Sequence, residues 1–241
     1  MNTKHNIIEL GDLQLNVIQK NIKNIHLRVH PPEGSVTISA PLRINLETIR
    51  RFIITKLGWI QKQQTKIKNQ KREAPREYIT NESHYYLGQK YLLQVLEQNA
   101  APKVVLKQDT IEFYIRKNFS ITQRKKVLQN WYRQQLKILI PQYIELLEKK
   151  MNVRVSELRI KTMKTRWGTC NTKAKRIWLN TELAKKPIEH LEYVLTHEMT
   201  HLLERKHNKK FKAHMDKFLP QWKHLKKELN RSALRNVEWG C

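Results

Sequence analysis

The segment LTHEMTHLLERKHNKKF, from Leu195 to Phe211, holds three histidines and two glutamates. His197 and His201 stand four residues apart. On a helix that spacing is about 400° of rotation, so the two imidazoles lie on one face, one turn apart, and can converge on a single ion. Glu198 follows the first histidine and is rotated about 100° from it, where its carboxylate reaches a water on such an ion without ligating it. This is the order H-E-x-x-H, and its chemistry is hydrolysis by an activated water. The pattern fixes only three positions in a chain with ten histidines, so the competing reading is a basic amphipathic helix that happens to contain them. A catalytic zinc takes three protein ligands and leaves its fourth position open. A third donor is therefore required. His207, six residues beyond His201, is the first candidate; His214 and His224 are rivals, as are Glu204 and Glu228 if the ligand is a carboxylate.

The elements that must position these groups are readable around them. Ile188, Leu191, Leu195, Met199 and Leu202 recur every three or four residues, which predicts a helix with one buried stripe from about Pro187 to Arg205. Pro187 suits its first turn, where a missing N–H has no partner to lose. HNKKF reads as the start of another helix, so a turn between the two would swing His207 back over the first pair. VRVSELRIKTMKTRWGTC and RIWLN, just upstream, read as strands. Phe211, Phe218, Leu219, Trp222 and Leu225 form the apolar side of a C-terminal helical segment interrupted at Pro220.

The upstream half is richer in strands. NIHLRVH and SVTISAP flank the turn PPEG as a hairpin. Leu46, Ile49, Ile53, Leu57 and Ile60 then recur at helical spacing behind Asn45 as cap, and KIKNQKREAPRE follows as a polar linker. HYYLGQKYLLQVLE and PKVVLKQDTIEFYIRK each read as a pair of strands. SITQ places Ser120 and Gln123 at capping-box spacing before a long helix that Pro141 is expected to kink or split. No internal repeat is readable. The sequence thus predicts an α+β chain with a β-rich N-terminal region over residues 1–118, containing one helix, and a mostly helical region over 119–241 that bears the histidines.

Composition excludes several classes. At 241 residues with 39% apolar content the chain buries a real core. No run approaches the eighteen or so uncharged residues of a membrane helix, and no apolar leader follows Lys4, so no membrane partner is expected. Cys170 and Cys241 are the two cysteines, a poor basis for a disulfide framework, and the reading is cytoplasmic. Lys and Arg number 47 against 21 Asp and Glu, a formal +26. Such charge usually marks solvated faces, yet it keeps nucleic acid as a candidate partner and a basic nucleic-acid-binding protein with a structural or inactive zinc site as the alternative. No helix-turn-helix or ribonucleoprotein motif accompanies it.

RWGTC at Arg166–Cys170, WLN at Trp178–Asn180, HEMTHLLERKHNKKF and LPQWKHLKKELN at Leu219–Asn230 together resemble the YgjP-like zinc metallopeptidases, relatives of the SprT-like and minigluzincin proteases. The resemblance is dense from Arg166 to Asn230 and looser upstream. Thr169 stands where the pattern has serine, Lys206 where asparagine precedes the third histidine, and Asn208 where serine or glycine follows it; none of these replaces a ligand or the glutamate. The resemblance implies a zincin-like catalytic part, with a short sheet bordering its cleft, that holds one zinc per chain on His197, His201 and His207. It implies peptide or protein substrates, with Glu198 as general base and then general acid. Zinc would bring the pKa of a water to about 7. Arg166 and Trp167 are candidate substrate-binding residues, although Trp beside Gly is as well explained by core packing at a tight strand end. Arg166 or Tyr193 could complete oxyanion stabilisation. The place of Cys170 in the pattern is not that of a ligand.

Overall fold

The computed structural model describes residues 3–30, 33–69, 76–163 and 165–231. The chain is α+β, with eleven strands and five α-helices among the described residues. It divides into two compact units, Met1–Arg72 and Glu73–Cys241. In the first, β1 (Lys4–Leu10), β2 (Leu13–Lys20), β3 (His26–His30) and β4 (Ser35–Pro41) form a sheet of order β1-β2-β4-β3, followed by helix α1 (Leu46–Lys68). Period-two alternation buries Leu15 and Val17 on β2 and Val36, Ile38 and Ala40 on β4, and Ile49, Ile53 and Ile60 of α1 close that core at helical spacing. Asn45 caps α1, its Oδ1 accepting from the Thr48 N–H at 2.8 Å. The expected hairpin is the antiparallel pair β3–β4, although Pro31 and Pro32 of its turn lie outside the described residues. So do residues 70–75 of the expected linker, into whose first part α1 extends.

The second unit opens with β5 (Ser83–Tyr86), β6 (Gln89–Glu97), β7 (Lys103–Leu106) and β8 (Thr110–Ile115), in the order β5-β6-β8-β7, followed by helix α2 (Ile121–Met151). This repeats the first unit's plan. In both sheets the outer pairs are antiparallel and the central pair, β2–β4 or β6–β8, is parallel. A side-chain-capped helix follows each. The repeat escapes a reading of the sequence because alternation marks strands without saying which ones pair, and a parallel pairing across an intervening strand leaves no local signal.

Ser120 and Gln123 form the expected capping box, Ser120 N–H donating to Gln123 Oε1 at 2.9 Å. Pro141 does not split α2, which continues through it. The proline costs one backbone hydrogen bond and about 3 kcal/mol. Leu136 and Ile140 before it and Leu147 and Met151 after it are buried, at about 1.5–3 kcal/mol each, so packing on both sides outweighs that cost.

Beyond α2 come β9 (Glu157–Lys161), β10 (Gly168–Asn171) and β11 (Arg176–Asn180), a sheet of order β10-β11-β9. A short 3₁₀ turn (Thr181–Lys185) leads to helices α3 (Ile188–Thr200), α4 (Lys209–Phe218) and α5 (Trp222–Arg231). The boundary expected at 118/119 falls inside this unit. Leu93, Ile111 and Phe113 of the sheet share one core with Leu128, Tyr132 and Leu136 of α2 and with Leu191 and Val194 of α3, so strands and helices here are one hydrophobic body. Among the described residues, no helix is long and apolar enough to cross a membrane.

One ionisable pair in this unit has a buried member. His84 is 2% exposed and its Nε2 lies 2.8 Å from Glu82 Oε1. Burial first, and then the Arg76 charge, hold its pKa at about 4 instead of the ordinary 6.5. The folded chain binds this proton less readily than the unfolded chain, so stability is full above about pH 6.5 and declines as pH falls toward 4. Thermal melts between pH 4 and 7 should therefore show a decline that is shallower in His84→Gln. Equal slopes in the two proteins would remove His84 as the cause.

Candidate metal centre

The chain turn that brings the histidines together begins with how α3 is set. Its N-cap is Pro187, against which the β5–β6 turn packs. Gly88 in that turn has φ +83°, and a Cβ there would lie 2.8 Å from the proline ring, so glycine is required both for conformation and for space. Val194, Leu195 and Met199 of α3 are buried. The helix ends at Thr200, not at Arg205 as periodicity suggests. Leu202 N–H donates to Met199 O and Leu203 N–H to Thr200 O, each at 3.0 Å, and these three-residue bonds tighten the last turn and redirect the chain. Asn208 then caps α4, its side chain accepting from Phe211 N–H at 3.0 Å. His207 stands just ahead of that cap and returns over α3.

His197, His201 and His207 each present a ligand atom, and these atoms all lie within 4.8 Å of one another. His207 Nε2 is 3.1 Å from His197 Nε2. Two ligands of a tetrahedral zinc at Zn–N of 2.0–2.1 Å are about 3.3 Å apart, so the observed spacing fits. The tautomer of His201 follows from its partner: the Glu204 carbonyl, 3.3 Å from Nδ1, only accepts, so Nδ1 carries the proton and Nε2 keeps the lone pair. Phe211, 2% exposed, packs its ring 5.0, 4.8 and 4.7 Å from the three imidazoles in sequence order. It limits how far each ring can turn. Burial, and then the neighbouring histidines and Lys226, lower the pKa of His197 to about 3. Burial also lowers those of His201 and His207. The three are thereby held neutral, the form that ligates. These donors fit a divalent zinc.

Glu198 is 3% exposed, and burial raises its pKa to about 8 against the opposing charge of Arg166. Beside it runs β10, an edge strand of its sheet. A Cβ on Gly168 would lie 2.8 Å from Glu198 Cγ, so the glutamate side chain rests directly on the strand. Cys170, on the same side of β10, has its thiol pushed up to about 12 by burial and by Glu198, which makes it a poor nucleophile or ligand. Asn180 ties the segment ahead of β10 in place. It is fully buried; its Nδ2 donates to Met163 O at 3.0 Å and Arg166 O at 2.8 Å, and its Oδ1 accepts from Met163 N–H at 3.3 Å and Glu182 N–H at 3.2 Å.

The other sequence candidates are placed differently. Trp167 is 1% exposed and belongs to the core. Tyr193 is also buried, whereas Arg166 is exposed. Glu204 accepts the Lys206 N–H at 3.1 Å; His214 stacks on Phe218; His224 Nε2 lies 3.3 Å from Glu228 Oε1, and Glu228 also faces His190 at 3.8 Å. Gly168, Asn180 and Phe211 are the site's unanticipated supports. Gly168 and Asn180 stood inside RWGTC and WLN, where the motif marked them without saying what they touch.

Three convergent imidazoles beside a buried carboxylate in an α+β fold fit the metallopeptidase class. The family model of the YgjP-like metallopeptidase domain matches residues 23–232, and the chain belongs to that family. Two solved structures, both of metallopeptidase zymogens, are similar to it. Abylysin of Pyrococcus abyssi is 20% identical, with a TM-score of 0.38 over 42% of this chain and 100% of that one. Jannalysin of Methanocaldococcus jannaschii is 20% identical, with a TM-score of 0.36 over 39% of this chain and 97% of that one. A search of curated proteins finds no match.

Proposed function

We propose that the chain is a zinc-dependent peptidase in which His197, His201 and His207 hold one zinc ion and Glu198 moves the proton. The observation that carries this reading is the ligand count. Structural zinc sites are closed by four protein donors, whereas catalytic ones use three. Among the described residues, three histidines form the group and no fourth His, Cys, Asp or Glu joins it. That count also argues against the alternative, a basic nucleic-acid-binding protein with a structural zinc.

Zinc supplies Lewis acidity toward the scissile carbonyl and a more acidic water. The chain does the rest. The imidazoles bind through their neutral nitrogens, and the His201–Glu204 carbonyl contact and the Phe211 ring orient them. The Glu198 carboxylate takes a proton from the attacking water and delivers it to the leaving amine nitrogen. As an edge strand, β10 offers backbone N–H and C=O groups to an extended peptide, which fixes its direction across the site. Arg166, exposed and close enough to act on Glu198, is one cation available to a peptide carbonyl or carboxylate; Lys226, which acts on His197 and His207, is another. We read the enzyme as cytoplasmic, from its two cysteines.

After reconstitution the purified protein should hold one zinc per chain by elemental analysis, and His197→Ala or His201→Ala should lose most of it. A parent protein that takes up no stoichiometric zinc would remove the basis of the reading.

A further inference from the structure

We propose that Gly168 is a positioning residue for Glu198: the side chain it lacks is the space the glutamate occupies, and that space sets where the carboxylate points. The inference rests on the reading of Glu198 as general base. Gly168 begins β10 and pairs with Leu179 in the ladder to β11, so its backbone is held by the sheet. A Cβ placed on it would lie 2.8 Å from Glu198 Cγ, 2.9 Å from Oε1 and 3.1 Å from Cδ. All three nearest atoms belong to that one side chain. Real Cβ contacts do not come so close, so one partner must move.

What moves is decided by the surroundings. Gly168 is not among the residues with positive φ, so alanine meets no backbone penalty there and the contact alone matters. The strand is fixed through β11, whose Asn180 is bound by four side-chain hydrogen bonds and, through its own N–H, donates to Trp167 O at 2.7 Å. The α3 backbone at Glu198 is fixed by buried neighbours on both sides. The side chain of Glu198 is then the part that yields. At 3% exposure it yields by changing rotamer, which swings the carboxylate away from its present place. Glycine at 168 thus does for Glu198 what Phe211 does for the imidazoles: it limits the positions available.

A double-mutant cycle tests this, with each protein assayed for zinc content, melting temperature and cleavage of a peptide that the parent selects from a degenerate library. Gly168→Ala should keep one zinc per chain and lose at least about tenfold in kcat, with KM changed by less than about threefold, because misplacing a reacting group by about an ångström carries such costs. Its melting temperature should fall by roughly 4 °C or more from overpacking. In the Glu198→Ala background, where the obstructing side chain is gone, the same substitution should cause no fall. If Gly168→Ala does not fold alone, the Gly168→Ala/Glu198→Ala protein still reports the contact by melting like Glu198→Ala. Equal falls in both backgrounds, or full kcat in Gly168→Ala, overturn the proposal through the contact. Retention of parental kcat by Glu198→Gln overturns it through the general-base reading, and since the melting cycle needs no turnover, the two failures are told apart.

Discussion

His207→Ala should weaken zinc binding by more than about a hundredfold in a competitive titration, whereas His214→Ala and Glu204→Ala should leave it nearly unchanged. Loss of an outer partner of a metal ligand costs 10–100-fold in affinity, so loss of a ligand itself exceeds that. The effect depends on the early end of α3. Because the helix stops at Thr200 and Asn208 caps α4, the chain between them doubles back, and His207 Nε2 arrives 3.1 Å from His197 Nε2. The rival donors are otherwise engaged: Glu204 holds the turn through the Lys206 N–H, His214 lies along Phe218, and Glu228 faces His190 and His224. A greater loss of zinc from Glu204→Ala or Glu228→Ala would make the third ligand a carboxylate and sink this assignment.

How much of this was legible in the sequence depends on how local each signal is. His197 and Glu198 lie in α3 and His201 is its C-cap, still in helical conformation, so spacing alone places the two imidazoles one turn apart. The caps at Asn45 and Ser120 are equally local and are found where expected. His207 needed more: the turn after Thr200 is made by backbone bonds that no side-chain pattern announces, and periodicity carried the helix five residues too far. Gly168 and Asn180 act through contacts between segments far apart in sequence, and RWGTC and WLN mark the residues but not the partners. The repeated four-strand plan is the largest omission, since it exists only in which strands pair. The linker read at KIKNQKREAPRE spans the division at Arg72, yet the expected region boundary falls further on. A change from strands to helices at residue 118 looks like a boundary, yet a shared core joins β5–β8 to α2 and α3, and what separates bodies is where hydrophobic contacts stop.

Glu198→Gln should hold zinc and melt like the parent while its peptide hydrolysis falls by at least about a hundredfold, the lower end of what general acid–base catalysis supplies. Glutamine keeps the size and much of the hydrogen bonding of glutamate but cannot accept the water's proton. The side chain is 3% exposed against β10, and its carboxyl group is not part of the three-histidine group, so the substitution reaches neither the ligands nor the packing. Glu198 carries a raised pKa because burial disfavours its charge. Glutamine is neutral at every pH and meets no such burial cost, so the change does not weaken the fold. The loss should appear in kcat with little change in KM, since the proton moves only as the bond breaks. Binding of nucleic acid, measured on the same proteins, should be unchanged by the substitution and should weaken steeply with salt. Any such binding comes from the formal +26 of the chain through lysines and arginines that release counterions. A parent protein that holds zinc, cleaves nothing in a broad peptide and protein library and binds nucleic acid tightly would instead favour the basic-binding alternative over the peptidase.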